Sequence, residues 1–406
     1  MKNFMNAMLP SLSTLMMTAC CGDGSALLIE DKGWPSGCTP GYEKGVSAPY
    51  CGVLEGCLIS AGGANFPERS VVEGGVKRLY SDIACLKDDN WMKIGELPFE
   101  AAYGGCLQHG DRLLTIGGND GKASFADVLS ISIVDGKAHV SPCTSLPYAV
   151  EQAGYAIDGN RIFVCGGVSD GKPCRHVLAG DISGNEISWS ELIELPELMV
   201  QPIVLAHEGR LYVWGGFDPE NKKVGGQGWC LDKGADQWRP VSGGKDGMTF
   251  TGSSAVRLGD GCLAVVGGVD KDVFTWGINI SNPEDRIRYL TMEPSEYRFN
   301  RILMIFHPEN EEWTEAAEAA ELALAGAGIA TDGHALYVTG GEIKPGVRLP
   351  EHGNLKHTEN EKQYKTEQDL SLDSRCPAVG GRPSQLHGQA DALNNEGIHA
   401  DRHHRT

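Results

Sequence analysis

The stretch ALYVTGG at residues 335–341 decides the fold. Its first five residues include Leu, Tyr, Val and Thr, which favour a short buried strand. The two glycines end that strand, because glycine readily adopts the positive φ that a sharp reversal needs. One such strand also fits an isolated hairpin. The same pattern occurs five more times along the chain, and this repetition identifies the architecture.

The six glycine doublets are regularly spaced. Successive doublets are 55, 49, 49, 52 and 73 residues apart, and a period near 50 is typical of kelch repeats, each of which is one four-stranded blade. Strands that converge near a propeller axis need residues without side-chain bulk. The sequence therefore predicts an all-β chain whose residues 22–350 form a six-bladed kelch-type β-propeller. The doublets are Gly62-Gly63, Gly117-Gly118, Gly166-Gly167, Gly215-Gly216, Gly267-Gly268 and Gly340-Gly341.

The ring needs a closing element, because no Trp follows the sixth doublet. An additional Trp34, followed by Pro35, precedes the first complete blade. We expect residues 26–36 to supply the outer strand of the sixth blade, since a ring closed by an N-terminal strand leaves no exposed edge. Earlier blades carry the Trp typical of an outer strand at Trp91, Trp189, Trp238 and Trp313.

Two segments lack the alternation expected of blade strands. Residues 276–298, inside the 73-residue interval, fit either a lid over one mouth of the channel or an ordinary surface excursion between strands. Residues 351–406 are rich in Asn, Gln, Glu, His and Lys, and this composition predicts a disordered tail.

Residues 1–21 have the pattern of a signal peptide of the lipoprotein type. Lys2 precedes a mostly apolar stretch, and Thr18-Ala19 places small residues before Cys20. The pattern predicts export with lipidation of Cys20, to the periplasm or the outer membrane; plain cleavage nearby is the alternative. The apolar stretch is too short to span a bilayer, so the only membrane contact expected is the lipid anchor.

Composition excludes several classes of function. The net charge of −19 argues against a nucleic-acid partner, because phosphate binding needs clustered Lys and Arg. Many of the 13 cysteines lie in apolar strand patterns, where a free thiol behaves as a small hydrophobe; a disulfide between Cys165 and Cys174 stays open. No Cys-x-x-Cys occurs. We predict neither a metal site nor a cofactor.

The residue that follows the last doublet is the candidate catalytic group. Residues after the six doublets are equivalent by repeat, so they lie on one face near the axis, and Asn or Asp is the ordinary turn residue there. Glu342 is not a preferred turn former. A tight turn at Pro345-Gly346 separates it from Arg348, so both side chains reach one small ligand. The alternative is a surface carboxylate paired with Lys344 or Arg348.

Eight motifs between about residue 45 and residue 348 recur together in one group of kelch proteins. The motifs are GVSAPY (45–50), AGGANFP (61–67), AAYG (101–104), QP (201–202), LYVWGGF (211–217), VGGVDKDVF (266–274), YRFNR (297–301) and GEIKPGVR (341–348). By these motifs the sequence resembles the cyclically permuted sialic-acid mutarotase family, which comprises N-acetylneuraminate epimerase-like kelch proteins. The first and last motifs are more specific to this family than to kelch proteins at large.

The resemblance implies an exported enzyme that interconverts the α and β anomers of N-acetylneuraminate. The family's proposed proton acceptor falls on Glu342, and its nearby arginine falls on Arg348. The sequence departs from the family after Arg348, where relatives continue into one more β-strand and this chain becomes polar. No third strand for the sixth blade is therefore expected from the C-terminal side.

The expected chemistry requires a base and an anion-binding group. Mutarotation removes the proton of the anomeric hydroxyl, which suits an ionised carboxylate, and a guanidinium fork binds the sugar carboxylate with defined orientation. The alternative function is a non-catalytic propeller that binds a sugar or a protein. A copper radical oxidase is disfavoured because the repeats lack a His cluster. Further candidate contacts to a sugar acid are Asn65, Arg78, Tyr103, Asn119 and Arg301.

Overall fold

The computed structural model describes residues 14–19 and 27–348, which form six antiparallel sheets of four strands arranged as the blades of a propeller. The predicted six-bladed fold is confirmed. The strands of each blade are given from the inner to the outer strand. Blade 1 consists of Tyr50–Leu54, Cys57–Ala61, Asp82–Lys87 and Asn90–Glu96; blade 2 of Gly105–His109, Arg112–Ile116, Val128–Val134 and Lys137–Pro142; and blade 3 of Gly154–Asp158, Arg161–Cys165, Val177–Ser183 and Glu186–Glu191. Blade 4 consists of Val200–His207, Arg210–Asp218, Gly228–Leu231 and Arg239–Val241; blade 5 of Ser253–Arg257, Leu263–Gly267, Ile302–His307 and Glu312–Glu318; and blade 6 of Gly328–Thr331, Ala335–Thr339, Thr14–Ala19 and Leu27–Asp31.

Short accessory strands follow the doublets on one face of the propeller. They are Ala64–Asn65 with Arg78–Leu79, Val168–Ser169 with Lys172–Pro173, Glu342–Lys344 with Val347–Arg348, and Lys223–Val224 against the second strand of blade 4. These strands build the loops around one mouth of the channel, called here the doublet mouth.

The glycine doublets are contacts between neighbouring blades. A Cβ added to Gly340, whose φ is 66°, would lie 2.3 Å from the carbonyl oxygen of Val46. The N–H of Gly341 donates to that same oxygen at 2.8 Å. Only a residue without a side chain allows this approach, since a Cβ at 2.3 Å from an oxygen is a severe clash. The sixth doublet therefore joins the last blade to the first.

The N-terminal segment completes the sixth blade with two strands. Leu27–Asp31 forms the outer strand, within the range predicted from Trp34, and Thr14–Ala19 forms the third strand. Leu15 lies opposite Val338 and Met17 opposite Leu336. Both side chains are buried against residues of blade 5, including Val266. The strand that the C-terminal sequence does not supply is thus contributed from the N-terminus.

This arrangement bears on the predicted signal peptide. A leader removed before Cys20 and a third strand at residues 14–19 are mutually exclusive in the folded protein. Cys20 and the tail 351–406 lie outside the described residues, so lipidation, export and tail disorder stay predictions. Among the described residues, no helix is long and apolar enough to cross a membrane.

The insertion is helical and packs over the doublet mouth. It comprises α1 (Lys271–Asn279), α2 (Pro283–Thr291) and the 3₁₀ turn Pro294–Tyr297. Asp270 caps α1, and Asn282 with the following proline starts α2, which are ordinary helix-start signals. Its apolar side chains join one buried cluster with residues of blades 4, 5 and 6, and this favours the lid over a surface excursion. The cluster includes Phe274, Ile278, Tyr289 and Tyr297 from the insertion, with Val200, Phe217, Val269 and Ala325 from the blades.

The ten described cysteines are free thiols. Cys57, Cys165 and Cys262 are buried, as expected for small core residues, and Cys106 is half-buried. The Cys165–Cys174 disulfide is not formed; the thiol of Cys174 contacts the carbonyl of Gly166 at 3.4 Å instead. Burial raises the pKa of the Cys106 thiol to about 12, so this group stays neutral near pH 7.

The N-terminal strand gives a test of the seam. Leu15→Ala removes a buried side chain from blade 6 and should lower the free energy of unfolding by about 2–5 kcal/mol. Met16→Ala is the matched control, because Met16 is only half-buried on the opposite face of the strand. Urea unfolding measures both variants. A Leu15→Ala protein as stable as the parent would contradict the placement of residues 14–19 in the blade.

Candidate active site

The last accessory hairpin carries the candidate pair. Glu342–Lys344 pairs with Val347–Arg348, and Glu342 stands directly opposite Arg348 in the register. The predicted turn at Pro345-Gly346 is present, with φ of 78° at Gly346. A Cβ at Gly346 would lie 2.4 Å from a methyl carbon of Val71. Glycine therefore serves both the turn and the close contact with the loop of blade 1.

Glu342 and Arg348 form a buried ion pair. Nη2 of Arg348 lies 2.6 Å from Oε1 of Glu342, and the two residues are 1% and 4% exposed. The Ser47 hydroxyl donates to Oε1 of Glu342 at 3.3 Å and accepts from Nη2 of Arg348 at 3.0 Å. Lys344 points elsewhere, with Nζ 3.1 Å from the carbonyl of Met292. The surface-pair alternative therefore does not hold.

One nitrogen of Arg348 is left for a ligand. Nε donates to the carbonyl of Ala64 at 3.2 Å, and Nη2 is shared between Ser47 and Glu342. Nη1 is buried and has no hydrogen-bond partner among the described residues. A buried donor without a partner is costly, so it marks a place where a bound group would be stabilised. The fully open guanidinium fork expected from the sequence is reduced to this single nitrogen.

Two cations, Arg348 and Lys77, approach the ring of Phe66. The guanidinium carbon lies 5.0 Å from the centre of the Phe66 ring, and Nζ of Lys77 lies 6.0 Å from the same centre. Nζ of Lys77 also donates to the Tyr103 hydroxyl at 2.9 Å. Tyr103 therefore lies beside Lys77, and its predicted contact with a substrate stays a prediction. Lys77 was missed, because a lysine beside Arg78 in a hairpin carries no signal that distinguishes it.

Asn65 and Arg78 have hydrogen bonds that hold the loop before blade 1. The Asn65 amide donates to the carbonyls of Gly41 and Gly45 at 2.8 and 2.7 Å and accepts from the Tyr80 hydroxyl at 2.8 Å. Nη1 of Arg78 donates to the carbonyl of Pro40 at 3.0 Å. Both residues lie near the pair, yet these contacts are with the protein itself. Their predicted substrate contacts stay predictions.

Asn119 and Arg301 lie farther from the pair. The Asn119 amide donates to the carboxylate of Glu151 and accepts from the N–H of Gly121 at 2.9 Å. Nε of Arg301 lies 2.6 Å from Glu318, with both side chains more than half exposed. No contact in the described residues joins either side chain to Glu342 or Arg348.

A ring of backbone hydrogen bonds surrounds the axis at the doublet mouth. One residue at or just before the start of each inner strand has positive φ, and five N–H···O=C hydrogen bonds of 2.7–3.2 Å run from blade to blade through these residues. A cavity of about 420 Å³ is lined by the inner strands that follow the ring, and neither Glu342 nor Arg348 lines it. The candidate site is therefore at the mouth, beneath the insertion. The ring residues are Ala48, Tyr103, Gln152, Gln201, Gly252 and Gly326.

The insertion changes the surroundings of Glu342. Burial, together with the nearby carboxylates of Glu296 and Glu342, raises the pKa of Tyr297 well above its ordinary value. The Tyr297 hydroxyl, which donates to the carbonyl of Tyr289, is therefore neutral near pH 7. The roof over the site is thus apolar and uncharged at this point.

A family model described as N-acetylneuraminate epimerase matches residues 144–390. The chain belongs to the N-acetylneuraminate epimerase family. It is accordingly an isomerase of the epimerase type, as the resemblance implied. The match includes the hairpin that carries Glu342 and Arg348.

Individual relatives agree with this assignment. An N-acetylneuraminate epimerase of Haemophilus influenzae (strain PittEE) is 26% identical over 269 residues, which are 63% of this chain and 68% of that protein. One of Salmonella arizonae is 24% identical over 234 residues, 54% and 59% of the two chains. A solved structure described as "Structure of YjhT" matches with a TM-score of 0.52 and 13% identity, covering 75% of this chain and 93% of that one. At that identity it supports the fold alone.

The buried pair makes a prediction about stability. Arg348→Met leaves the charge of Glu342 buried without its guanidinium and should lower the free energy of unfolding by about 3–5 kcal/mol. Adding Glu342→Gln in the same chain should recover part of that loss. Arg301→Met is the control, since its exposed pair should contribute about 0–1 kcal/mol. Equal losses in Arg348→Met and Arg301→Met, by urea unfolding, would contradict the burial of the pair.

Proposed function

We propose that the protein interconverts the α and β anomers of N-acetylneuraminate or a related sugar acid, with Glu342 as the general base and Arg348 orienting the substrate. The observation that carries the proposal is the buried Glu342–Arg348 pair, on whose arginine one nitrogen is left for a ligand. The named relatives support the reaction and the substrate class.

The proposed reaction begins with proton transfer from the anomeric hydroxyl to Glu342. The guanidinium at 2.6 Å stabilises the negative charge of the carboxylate, so the base is ionised when the sugar arrives. Oε2 of Glu342 accepts from the N–H of Gly346 at 3.4 Å.

Ring opening and closing then exchange the two anomers. As the anomeric C–O⁻ becomes a ketone, the bond to the ring oxygen breaks and that oxygen takes up the proton held by Glu342. Rotation about the neighbouring carbon–carbon bond presents the other face of the ketone. The same oxygen then attacks that face and returns its proton to Glu342, and the new anomeric oxygen takes that proton from Glu342. No oxidation state changes, so acid–base groups and positioning suffice.

Substitution of the base tests the mechanism. Glu342→Gln keeps the shape but cannot accept the proton, so anomer exchange should fall by about 10²–10⁴. Glu342→Asp is the matched variant, because it keeps the negative charge but shortens the reach to the sugar; it should also lose exchange. Proton NMR of freshly released α-N-acetylneuraminate measures exchange, and calorimetry measures binding.

Two results would change the conclusion. If Glu342→Gln exchanges anomers as fast as the parent, Glu342 is not the base. If the parent binds the sugar but exchanges no anomers, the non-catalytic sugar-binding propeller is the better account.

Entry of the sugar requires movement of the insertion. Glu342 and Arg348 are almost fully buried, and the insertion lies over them, held in part by the Lys344–Met292 contact. An ion pair between Asp270 and Arg298, 2.5 Å apart, joins the two ends of the insertion. We propose that residues 271–297 open the site by moving about these ends.

A closing insertion should respond to the sugar. We expect amide hydrogen exchange in residues 271–297 to slow when N-acetylneuraminate is added at saturation, because the bound sugar stabilises the closed arrangement. The blade 2 strands at residues 128–142 are the control and should not change. Unchanged exchange in both segments at saturation would show that the insertion does not take part in binding.

A further inference from the structure

Ser47 is held at the seam between the first and the last blade. Its N–H donates to the carbonyl of Ala64, and its carbonyl accepts from the N–H of Ala64, both at 2.9 Å. The N–H of the next residue, Ala48, donates at 2.7 Å to the carbonyl of Gly326, which precedes the inner strand of blade 6. The Ser47 residue is 3% exposed. Backbone contacts with both blades therefore fix the position of its side chain.

The Ser47 hydroxyl has one proton and two acceptors within reach. Its oxygen lies 3.3 Å from Oε1 of Glu342 and 3.3 Å from the carbonyl oxygen of Ala64. The same oxygen accepts from Nη2 of Arg348 at 3.0 Å. A hydroxyl donates only one hydrogen bond, so it has two orientations, one toward the carboxylate and one toward the carbonyl.

The charge of Glu342 decides between these two orientations. A hydrogen bond to an ionised carboxylate is roughly twice as strong as one between neutral groups. The Ala64 carbonyl has two lone pairs, and it already accepts from the N–H of Ser47 and from Nε of Arg348 at 3.2 Å. The ionised carboxylate is therefore the better acceptor. A protonated carboxyl group loses this advantage.

We propose that Ser47 is a positioning residue for the base: its hydroxyl holds Oε1 of Glu342 while the carboxylate is ionised and can turn to the Ala64 carbonyl once the carboxyl has taken the proton of the sugar. The proton of Ser47 itself is not transferred. The proposal deepens the proposed function and rests on it. A hydrogen bond that favours the charged form keeps the carboxylate ionised until the sugar is bound.

Other charged and titratable groups lie in this region on three elements. All of them are present in both the parent and a Ser47 variant, so a difference between the two proteins in the titration of Glu342 reports the hydroxyl. These groups are Arg348 and Lys344 of the same hairpin, Tyr297 and Glu296 of the insertion, and Lys77 across the Phe66 ring.

Titration of Glu342 tests the proposal without relying on activity. Carbon NMR of the glutamate carboxyl groups follows the titration, and Glu342→Gln identifies the Glu342 signal by its absence. Ser47→Ala should raise the titration midpoint by about one pH unit, because the ionised form loses a donor. The expected shift is at the lower end for a bond to a charged group, since 3.3 Å is long for O–H···O.

The pH dependence of anomer exchange should change in the same direction. The proposed reaction needs the ionised carboxylate, so the pH of half-maximal exchange should also rise by about one unit in Ser47→Ala. Ser47→Thr keeps the hydroxyl and should restore both midpoints. Ser254→Ala is the matched control, because the Ser254 hydroxyl donates to the carbonyl of Ala327 at 2.6 Å between blades 5 and 6; it should leave both midpoints unchanged.

The two measurements separate this proposal from the proposed function. A Glu342 signal that is the same in the parent and in Ser47→Ala, over the pH range in which both are folded, overturns the proposal whatever the exchange rates. Slower exchange at every pH without a shift of either midpoint also overturns it and leaves Ser47 a purely structural role. A shifted titration in a protein that exchanges no anomers supports the effect of Ser47 on Glu342 and removes the mutarotase.

Discussion

The structure depends on one contact between neighbouring blades, in which a glycine doublet meets a backbone carbonyl. In five of the six doublets, the first glycine lies so close to a carbonyl of the next blade that a Cβ would be within 2.2–2.4 Å of its oxygen. The N–H of the second glycine donates to the same carbonyl at 2.8–2.9 Å. The first glycine allows the close approach because it has no side chain, and the second glycine makes the hydrogen bond. Both act on the same carbonyl, which explains why the pattern repeats as a doublet. The fourth doublet meets the next blade at the backbone of Phe250 and Thr251.

This contact also determines where chemistry is possible. After each doublet the chain emerges at the doublet mouth, so the residues that follow the six doublets surround the same end of the channel. Asp218, two residues after its doublet, caps its own loop, as is usual for Asp in such turns. In the sixth blade, Glu342 follows the doublet directly and lies opposite Arg348. The candidate base thus comes from a region whose ordinary role is to form turns.

Much of the fold could be predicted because each glycine doublet is visible in the sequence and all six doublets have the same physical cause, the close contact between neighbouring blades. The Glu342–Arg348 hairpin was equally accessible, since its turn residues are contiguous. Residues 14–19 were not, because alternation such as that of Leu15 and Met17 in an apolar run fits both a leader and a buried strand. The helices of the insertion, nine residues each, were too short to show a clear period. Lys77 reaches the site through Phe66 and Tyr103, and no sequence pattern encodes such a contact.

The candidate site lies across the seam of the ring. Glu342 and Arg348 belong to the blade that the N-terminal strands complete, while Ser47 and Ala64, which hold their polar groups, belong to the first blade. The same Val46 carbonyl that receives the last doublet precedes Ser47 directly. Closure of the ring therefore sets the distance between Glu342 and the groups around it. Because displacement of reacting groups by about 1 Å is enough to lower rates strongly, the strand at residues 14–19 matters for the proposed chemistry as well as for stability, although no contact in the described residues joins it to Glu342 or Arg348.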